Sequence, residues 1–318
     1  MCLNIVKYKV MNWKIKAHIL KIISKLPYSE RIYPFFQLHF GRLSGDPYCR
    51  FYIALDFLNI LKKNDIYIYD KTLFEIGTGH LPLMPTFFYL AGAEEIYSYD
   101  LNCRLNYKLY RITLNKIIKD RDFIIQEMSK YVDVDTLNDR MNVIEKCKDN
   151  PCMFLSNAKI HYISPGDASK TGIISNSIDF HFSCTTFEHI PKYNLNEMMT
   201  EASRILKDKA YSIHLIDPSD HFQHQDSSIS KINFLKFSES EWNSIAGNNF
   251  AYCNRLRHSD YCQIFKNNHF SIVDENILVD SNSYELLKAN FEIHNVFKNY
   301  NLEDISITSF MTLLINNK

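Results

Sequence analysis

Apolar positions along the chain keep one period near the N-terminus and another beyond it. In residues 12–26, Ile15, Ile19, Ile22 and Leu26 recur at helical spacing, and Pro27 stops the run. Lys14, Lys16, Lys21 and Lys25 add four positive charges to this stretch and no acid. The predicted helix has two uses: packing on its own domain, or lying with a basic amphipathic face on anionic lipid. Residues 46–63 predict a second helix, with Phe51, Leu55, Leu58 and Leu61 on one side. Residues 1–65 therefore read as a helical N-terminal cap. The absence of a Gly/Ser/Pro-rich linker between residues 27 and 70 argues that they cover a pocket rather than form a separate unit.

Beyond residue 65 the pattern becomes short apolar runs alternating with helical ones. Lys71–Ile76, Glu95–Tyr99, Lys159–Ile163, Ser177–Ser183, Ala210–Ile216, Phe270–Ile277 and Ile305–Ile315 predict seven strands. Helices are expected at Met84–Leu90, Arg104–Lys119, Asn194–Leu206 and Ser259–Asn267. This alternation predicts an α/β domain over residues 66–318, a parallel sheet with helices on both faces. Insertions interrupt it near 120–157, 222–257 and 280–303.

Composition narrows the partners. Lysine plus arginine and aspartate plus glutamate number 36 each, so the basic excess of a nucleic-acid grip is missing. No apolar run approaches the roughly 18–20 residues of a membrane helix. Eight cysteines show no paired framework, which predicts reduced thiols and a cytoplasmic setting.

The clearest chemistry lies at Leu73-Phe74-Glu75-Ile76-Gly77-Thr78-Gly79-His80, directly after a strand. Glycines there let the backbone turn sharply and approach a ligand. Asp100 closes the next strand, where an acid can bond a ribose hydroxyl. The pair points to a nucleoside-containing cofactor.

Glu-x-Gly-x-Gly after an apolar strand resembles motif I of class I S-adenosylmethionine-dependent methyltransferases. Leu81 stands where a dinucleotide enzyme has its third glycine, and Glu75 stands where such enzymes seldom carry an acid. Further likenesses are Gly166-Asp167-Ala168, Ile178–Ser183 followed by Phe187-Glu188-His189-Ile190-Pro191, and Glu197–Leu206, although Lys207-Asp208-Lys209 replaces the usual Pro-Gly-Gly turn. The resemblance implies a Rossmann-like seven-stranded sheet in the order 3-2-1-4-5-7-6, strand seven antiparallel, with S-adenosyl-L-methionine as cofactor. It implies that Glu75 positions the amino group or the turn, and that Gly77, Thr78 and Gly79 line the methionine path. Asp100 would take the ribose, with Leu101 against the adenine. Asp167 and Ala168 would hold the adenine edge, and Ser183 would offer backbone contacts. Segments Ile232–Phe237, Arg255–Tyr261 and Leu26–Tyr33 resemble uncharacterised bacterial methyltransferases associated with surface polysaccharides.

Acceptor chemistry is expected beyond the carboxyl ends of the strands. The loop His214–Phe222 is dense in His and Asp. His221 is a candidate general base, with His189 as the alternative. A lesser reading makes Asp217, Asp220, His221 and His224 metal ligands, and the plain alternative is a solvated polar loop. Asp220, Arg255, Arg257 and Tyr261 are candidate substrate contacts, since arginine pairs well with carboxylate or phosphate. The expected activity is methyl transfer to an oxygen or nitrogen of a small molecule or saccharide. A non-catalytic cofactor-binding module and a nicotinamide oxidoreductase are the rivals.

Overall fold

The computed structural model describes residues 11–29 and 43–318. Part of the N-terminal region, including Glu30–Tyr33 of the Leu26–Tyr33 segment, lies outside the described residues.

Seven strands form one sheet: β1 (Thr72–Ile76), β2 (Glu95–Tyr99), β3 (Ile160–Ile163), β4 (Ile178–Cys184), β5 (Leu206–Ile216), β6 (Phe270–Val279) and β7 (Ile307–Asn316). Their order is β3-β2-β1-β4-β5-β7-β6. The first five run parallel, and β7 pairs antiparallel with both β5 and β6. This is the Rossmann-like order that the resemblance implied. Four consecutive residues of β1, Leu73 to Ile76, are buried, as a strand covered on both faces requires.

Twelve α-helices surround the sheet among the described residues: α1 (Trp13–Ile23), α2 (Tyr48–Lys63), α3 (Leu83–Leu90), α4 (Tyr107–Lys119), α5 (Arg121–Met128), α6 (Val134–Cys147), α7 (Pro151–Asn157), α8 (Lys192–Ile205), α9 (Glu239–Ala246), α10 (His258–Asn267), α11 (Ser281–Lys288) and α12 (Leu302–Ser306). On one face, Leu73, Ile96, Phe182 and Ile213 meet α2 to α7. On the other, Phe74, Ile76 and Leu314 meet α8 and α10. Helix α2 belongs to the first of these cores: Phe51 and Phe57 are fully buried, and their rings lie 5.2 and 6.0 Å from Phe87 and Phe88.

A third core joins α1 to the segment after β5. Trp13, Ala17 and Leu20 pack with Phe222, Phe234, Leu235 and Trp242, and the Trp13 ring stands 5.8 Å from Phe222. The main-chain N–H of Trp13 donates to Asp226 at 2.8 Å. The helix is where its period puts it, but the buried stripe differs from the expected one: Ile15 and Ile22 are 58% and 50% exposed. Aromatic partners on the insertion draw in Trp13, whose large surface outweighs an isoleucine's.

The departure at Lys207-Asp208-Lys209 is absorbed in β5. Lys209 adopts φ +58°, a left-handed conformation that glycine would take more cheaply, and the β4–β5 register shifts between Ile178 and Phe180.

Candidate functional site

The carboxyl edge of the sheet brings two groups of polar residues together. The first surrounds the turn after β1. Gly77 (φ +89°) and Gly79 (φ +69°) both need the left-handed region. A side chain at Gly77 would collide with Thr186, whereas one at Gly79 would enter open space. Gly77 thus permits close packing of two loops, and Gly79 leaves room beside the turn. Under the turn, Ser98 donates to buried Glu75 and also bonds Thr78. Burial pushes the Glu75 carboxyl up to about 8, against the hydrogen bond from Ser98.

Asp100 ties three loops into one surface. Its Oδ2 accepts from the Gly79 N–H at 2.8 Å, and its Oδ1 accepts from the Asn102 N–H at 2.9 Å. Its own carbonyl accepts from Gly166 at 2.9 Å. Leu101 is exposed beside it. Asp167 is exposed, accepting from the N–H and hydroxyl of Ser169 at 2.8 and 2.7 Å. Ala168 is buried with Tyr99 and Ile76. Glu75, Gly77, Thr78, Gly79, Asp100, Leu101, Asp167 and Ala168 therefore share one stretch of the edge. Ser183 is fully buried and bonds His214 at 2.8 Å, so its hydroxyl serves the sheet interior.

The second group lies at the ends of β4 and β5. Glu188 and His189 occupy a short 3-10 turn after β4. Asp217, His221 and His224 come from the loop after β5. The rings of His189 and His221 stand 5.0 Å apart, and those of His221 and His224 4.9 Å apart. Nε2 of His221 lies 3.8 Å from an Asp217 carboxylate oxygen, and Nε2 of His224 lies 3.5 Å from it. Glu188 is fully buried; burial holds its carboxyl well above the usual range. Burial lowers the His221 imidazole to about 4, partly opposed by Asp217. His189 and His224 are exposed, so this basin opens to solvent.

Several expected acceptor contacts do not face the basin. Asp220 has no exposed surface, and its carboxylate accepts from the Phe222 N–H at 2.9 Å and from Asn233 at 3.4 Å. It braces its own loop and does not steady His221. Arg255 is buried, donating to the carbonyls of Phe234 and Phe237 and to Glu239. Arg257, fully buried, donates to the carbonyls of Arg255 and Pro218, and its Nη1 lacks a partner. Tyr261, also fully buried, donates to Asn254 at 3.1 Å. Side chains without exposed surface cannot meet a ligand arriving from solvent unless the loops move. These four hold the loops around the basin.

Two residues were not singled out from the sequence. Arg50 reaches from α2 to the end of β4, donating to Cys184 Sγ at 2.7 Å and Thr185 Oγ1 at 2.9 Å. Glu188 stands in the sequence only as one residue of the Phe187–Pro191 segment. Burial of an acid in a loop leaves no mark on sequence, so neither had a signal beyond its charge. A surface hollow lined by His258, Ser259, Tyr300 and Asp304 involves none of the residues of either group.

No family model and no curated protein matches the chain. Solved structures similar to it include a putative sarcosine dimethylglycine methyltransferase from Galdieria sulphuraria, with TM-score 0.47 and 14% identity over 83% of this chain and 85% of that one. A geranyl diphosphate C-methyltransferase from Streptomyces coelicolor aligns with TM-score 0.45 and 12% identity, over 81% and 78% of the two chains. A SAM-dependent methyltransferase from Methanosarcina mazei aligns with TM-score 0.45 and 12% identity, over 78% and 93%. Likenesses this distant carry no weight for the chemistry of this chain, and the sheet order stands on its own pairing.

Proposed function

We propose that this chain is an S-adenosylmethionine-dependent methyltransferase acting on an oxygen or nitrogen of a small molecule or saccharide. The observation that carries the reading is the turn at Gly77–Gly79, open beside Gly79 and tied to Asp100 at the end of β2. A nucleoside-bearing ligand lying across the ends of β1, β2 and β3 would meet Asp100 and Asp167 as acceptors. Leu101 is free to cover a purine. Leu81 in place of a third glycine suits a cofactor with no pyrophosphate. The cofactor supplies a methyl group already activated on a sulfonium sulfur. The protein's task is then to align the acceptor, which by itself is worth roughly 7–11 kcal/mol in favourable cases.

The acceptor would enter the basin next to this turn. His221, neutral at pH 7, would take the proton from the acceptor, with Asp217 beside it. Because burial holds this imidazole near 4, turnover should rise with pH through the acid range rather than near neutrality. The described cysteines are all unpaired, which fits a reducing compartment such as the cytoplasm. No helix among the described residues is long and apolar enough to cross a membrane.

Calorimetry of the full-length chain with S-adenosylmethionine, S-adenosylhomocysteine and NAD tests the reading. The first two should bind, and NAD should not. Binding of NAD alone would replace the proposal with the oxidoreductase reading, and binding of none of the three would remove the cofactor site.

A further inference from the structure

The second group contains a buried acid without a well-formed partner. Glu188 has no exposed surface, and no well-formed hydrogen bond reaches either of its carboxyl oxygens, although the main-chain N–H groups of Glu188 and Asp217 lie close by. A carboxylate taken out of water without compensation is costly, and native structures nearly always pair it or give it to a cation. Arg50 acts on it only as a nearby charge, donating instead to Cys184 and Thr185.

What does stand near Glu188 is a set of ligand-type atoms. Glu188, His189 and His221 each offer one such atom, all within 4.8 Å of one another. Asp217, His221 and His224 form a second set that meets the same distance and shares His221. In a site with bonds of about 2.1 Å, ligand atoms stand roughly 3–3.5 Å apart. Side-chain rotations of about an ångström would close either set. His189 also has a suitable tautomer. Its Nδ1 lies 3.0 Å from the Tyr252 carbonyl, which takes a proton on that nitrogen and leaves Nε2 as a lone-pair donor. Ligating histidines are commonly held by such a bond from the other ring nitrogen.

We propose that Glu188, His189 and His221 bind a divalent transition-metal ion, with Asp217 and His224 flanking it. Two imidazoles and one carboxylate favour the Mn²⁺–Zn²⁺ series over Mg²⁺ and Ca²⁺, which prefer all-oxygen sites. Three protein ligands leave positions open on the solvent side, where His189 and His224 are exposed. The ion site is defined by its own ligands and does not depend on methyl transfer. Its use does: on that reading the ion would hold an acceptor hydroxyl and lower its pKa, and His221 would serve as a ligand rather than a base. A third cluster, His258, Cys262 and Glu275, is different. There His258 Nε2 lies 3.0 and 3.2 Å from the two oxygens of Glu275, so the acid already has its partner.

The test titrates Co²⁺ and Zn²⁺ into chelator-treated full-length protein, followed by calorimetry and visible absorption. Binding of one ion per chain to this site is expected, with Mg²⁺ failing to compete. Glu188→Gln, nearly isosteric, and His189→Ala should each weaken Co²⁺ at least tenfold while circular dichroism still reports a folded chain. Cys262→Ser should leave this binding unchanged. Unaltered Co²⁺ affinity in both Glu188→Gln and His189→Ala overturns the proposal, as does loss of binding only in Cys262→Ser, or no binding of either ion by the wild type. S-adenosylmethionine calorimetry on the same samples separates the two readings: donor binding without an ion sinks this inference alone, and ion binding without the donor sinks only the methyl-transfer proposal.

Discussion

The two halves of the sheet edge treat buried and half-buried acids in opposite ways. Around β1 and β2, acids have partners within the protein. Asp100 accepts two main-chain N–H groups, and Glu75 accepts from Ser98. Around β4 and β5, Glu188 has no well-formed hydrogen bond, and beside it stand imidazoles and the Asp217 carboxylate. A satisfied network holds its shape before any ligand comes. An unsatisfied one gains most when a positive partner arrives. The contrast suggests that the β1–β2 half is a preformed cradle and the β4–β5 half is completed by what binds there.

The sharpest way to break the contrast is at the glycines of the cradle. Gly77→Ala adds a collision with Thr186 to a left-handed backbone, and should cost roughly 2–5 kcal/mol in urea unfolding. Gly79→Ala meets open space, so its stability loss should stay near 1–2 kcal/mol while S-adenosylmethionine affinity falls. Equal stability losses would show that the two glycines do not divide the work as argued.

Below the basin, His181 and His214 lie fully buried on the face shared with Phe74, bridged by Ser212. Burial lowers His181 to about 3 and His214 well below its ordinary value. Since the unfolded chain protonates them near 6.5, the stability they contribute is complete above that pH and declines as pH falls from 6.5 toward 3. Glu75 works in the opposite direction, its contribution being lost as pH rises from about 4.5 to about 8. His181→Phe should flatten the acid-side decline, by roughly 1–3 kcal/mol at pH 4.5. An unchanged slope in denaturation curves from pH 7 to 4.5 would assign the acid sensitivity elsewhere.

Asp100→Ala should weaken S-adenosylmethionine by roughly 1–3 kcal/mol, because it leaves ligand hydroxyls and the Gly79 N–H without an acceptor. Unchanged affinity would take Asp100 out of the cradle. Glu188→Gln should do the reverse for stability. With a folded pKa above the unfolded one, the acid loses stability as pH rises past about 4.5. In chelator at pH 8 the Gln variant should therefore be more stable than wild type, by roughly 1 kcal/mol. A less stable variant would mean that the acid has a protein partner after all.

The smallest expected effect concerns α1. Exposed Ile15 and Ile22 on this helix and Leu26 just after it, with Lys14 and Lys25, should give weak, salt-sensitive association with anionic vesicles. Ile15→Glu with Ile22→Glu should abolish it. Association that persists in the double variant, or at high salt, would place the contact on another surface.

Much of this molecule was readable one segment at a time. Alternating periods located the seven strands, and the local order Glu75-Ile76-Gly77-Thr78-Gly79 with Asp100 marked a glycine turn and the acid at the end of the next strand that meets it, because turn geometry and strand ends are short-range properties. Other matters were decided by burial. On α1, positions 13, 17 and 20 and positions 15, 19 and 22 satisfy the same helical period, and only the aromatic cluster on the insertion chose between them. Asp220, Arg255, Arg257 and Tyr261 had the chemistry of ligand contacts, but packing placed them inside the loops that support the basin. Conversely, Glu188 became notable only when folding removed its solvent and brought His221, 33 residues away, to within ligand distance. Local residue order determines backbone turns and element type. Which polar groups lose water, and whether they find a partner, depends on long-range packing that no local pattern encodes.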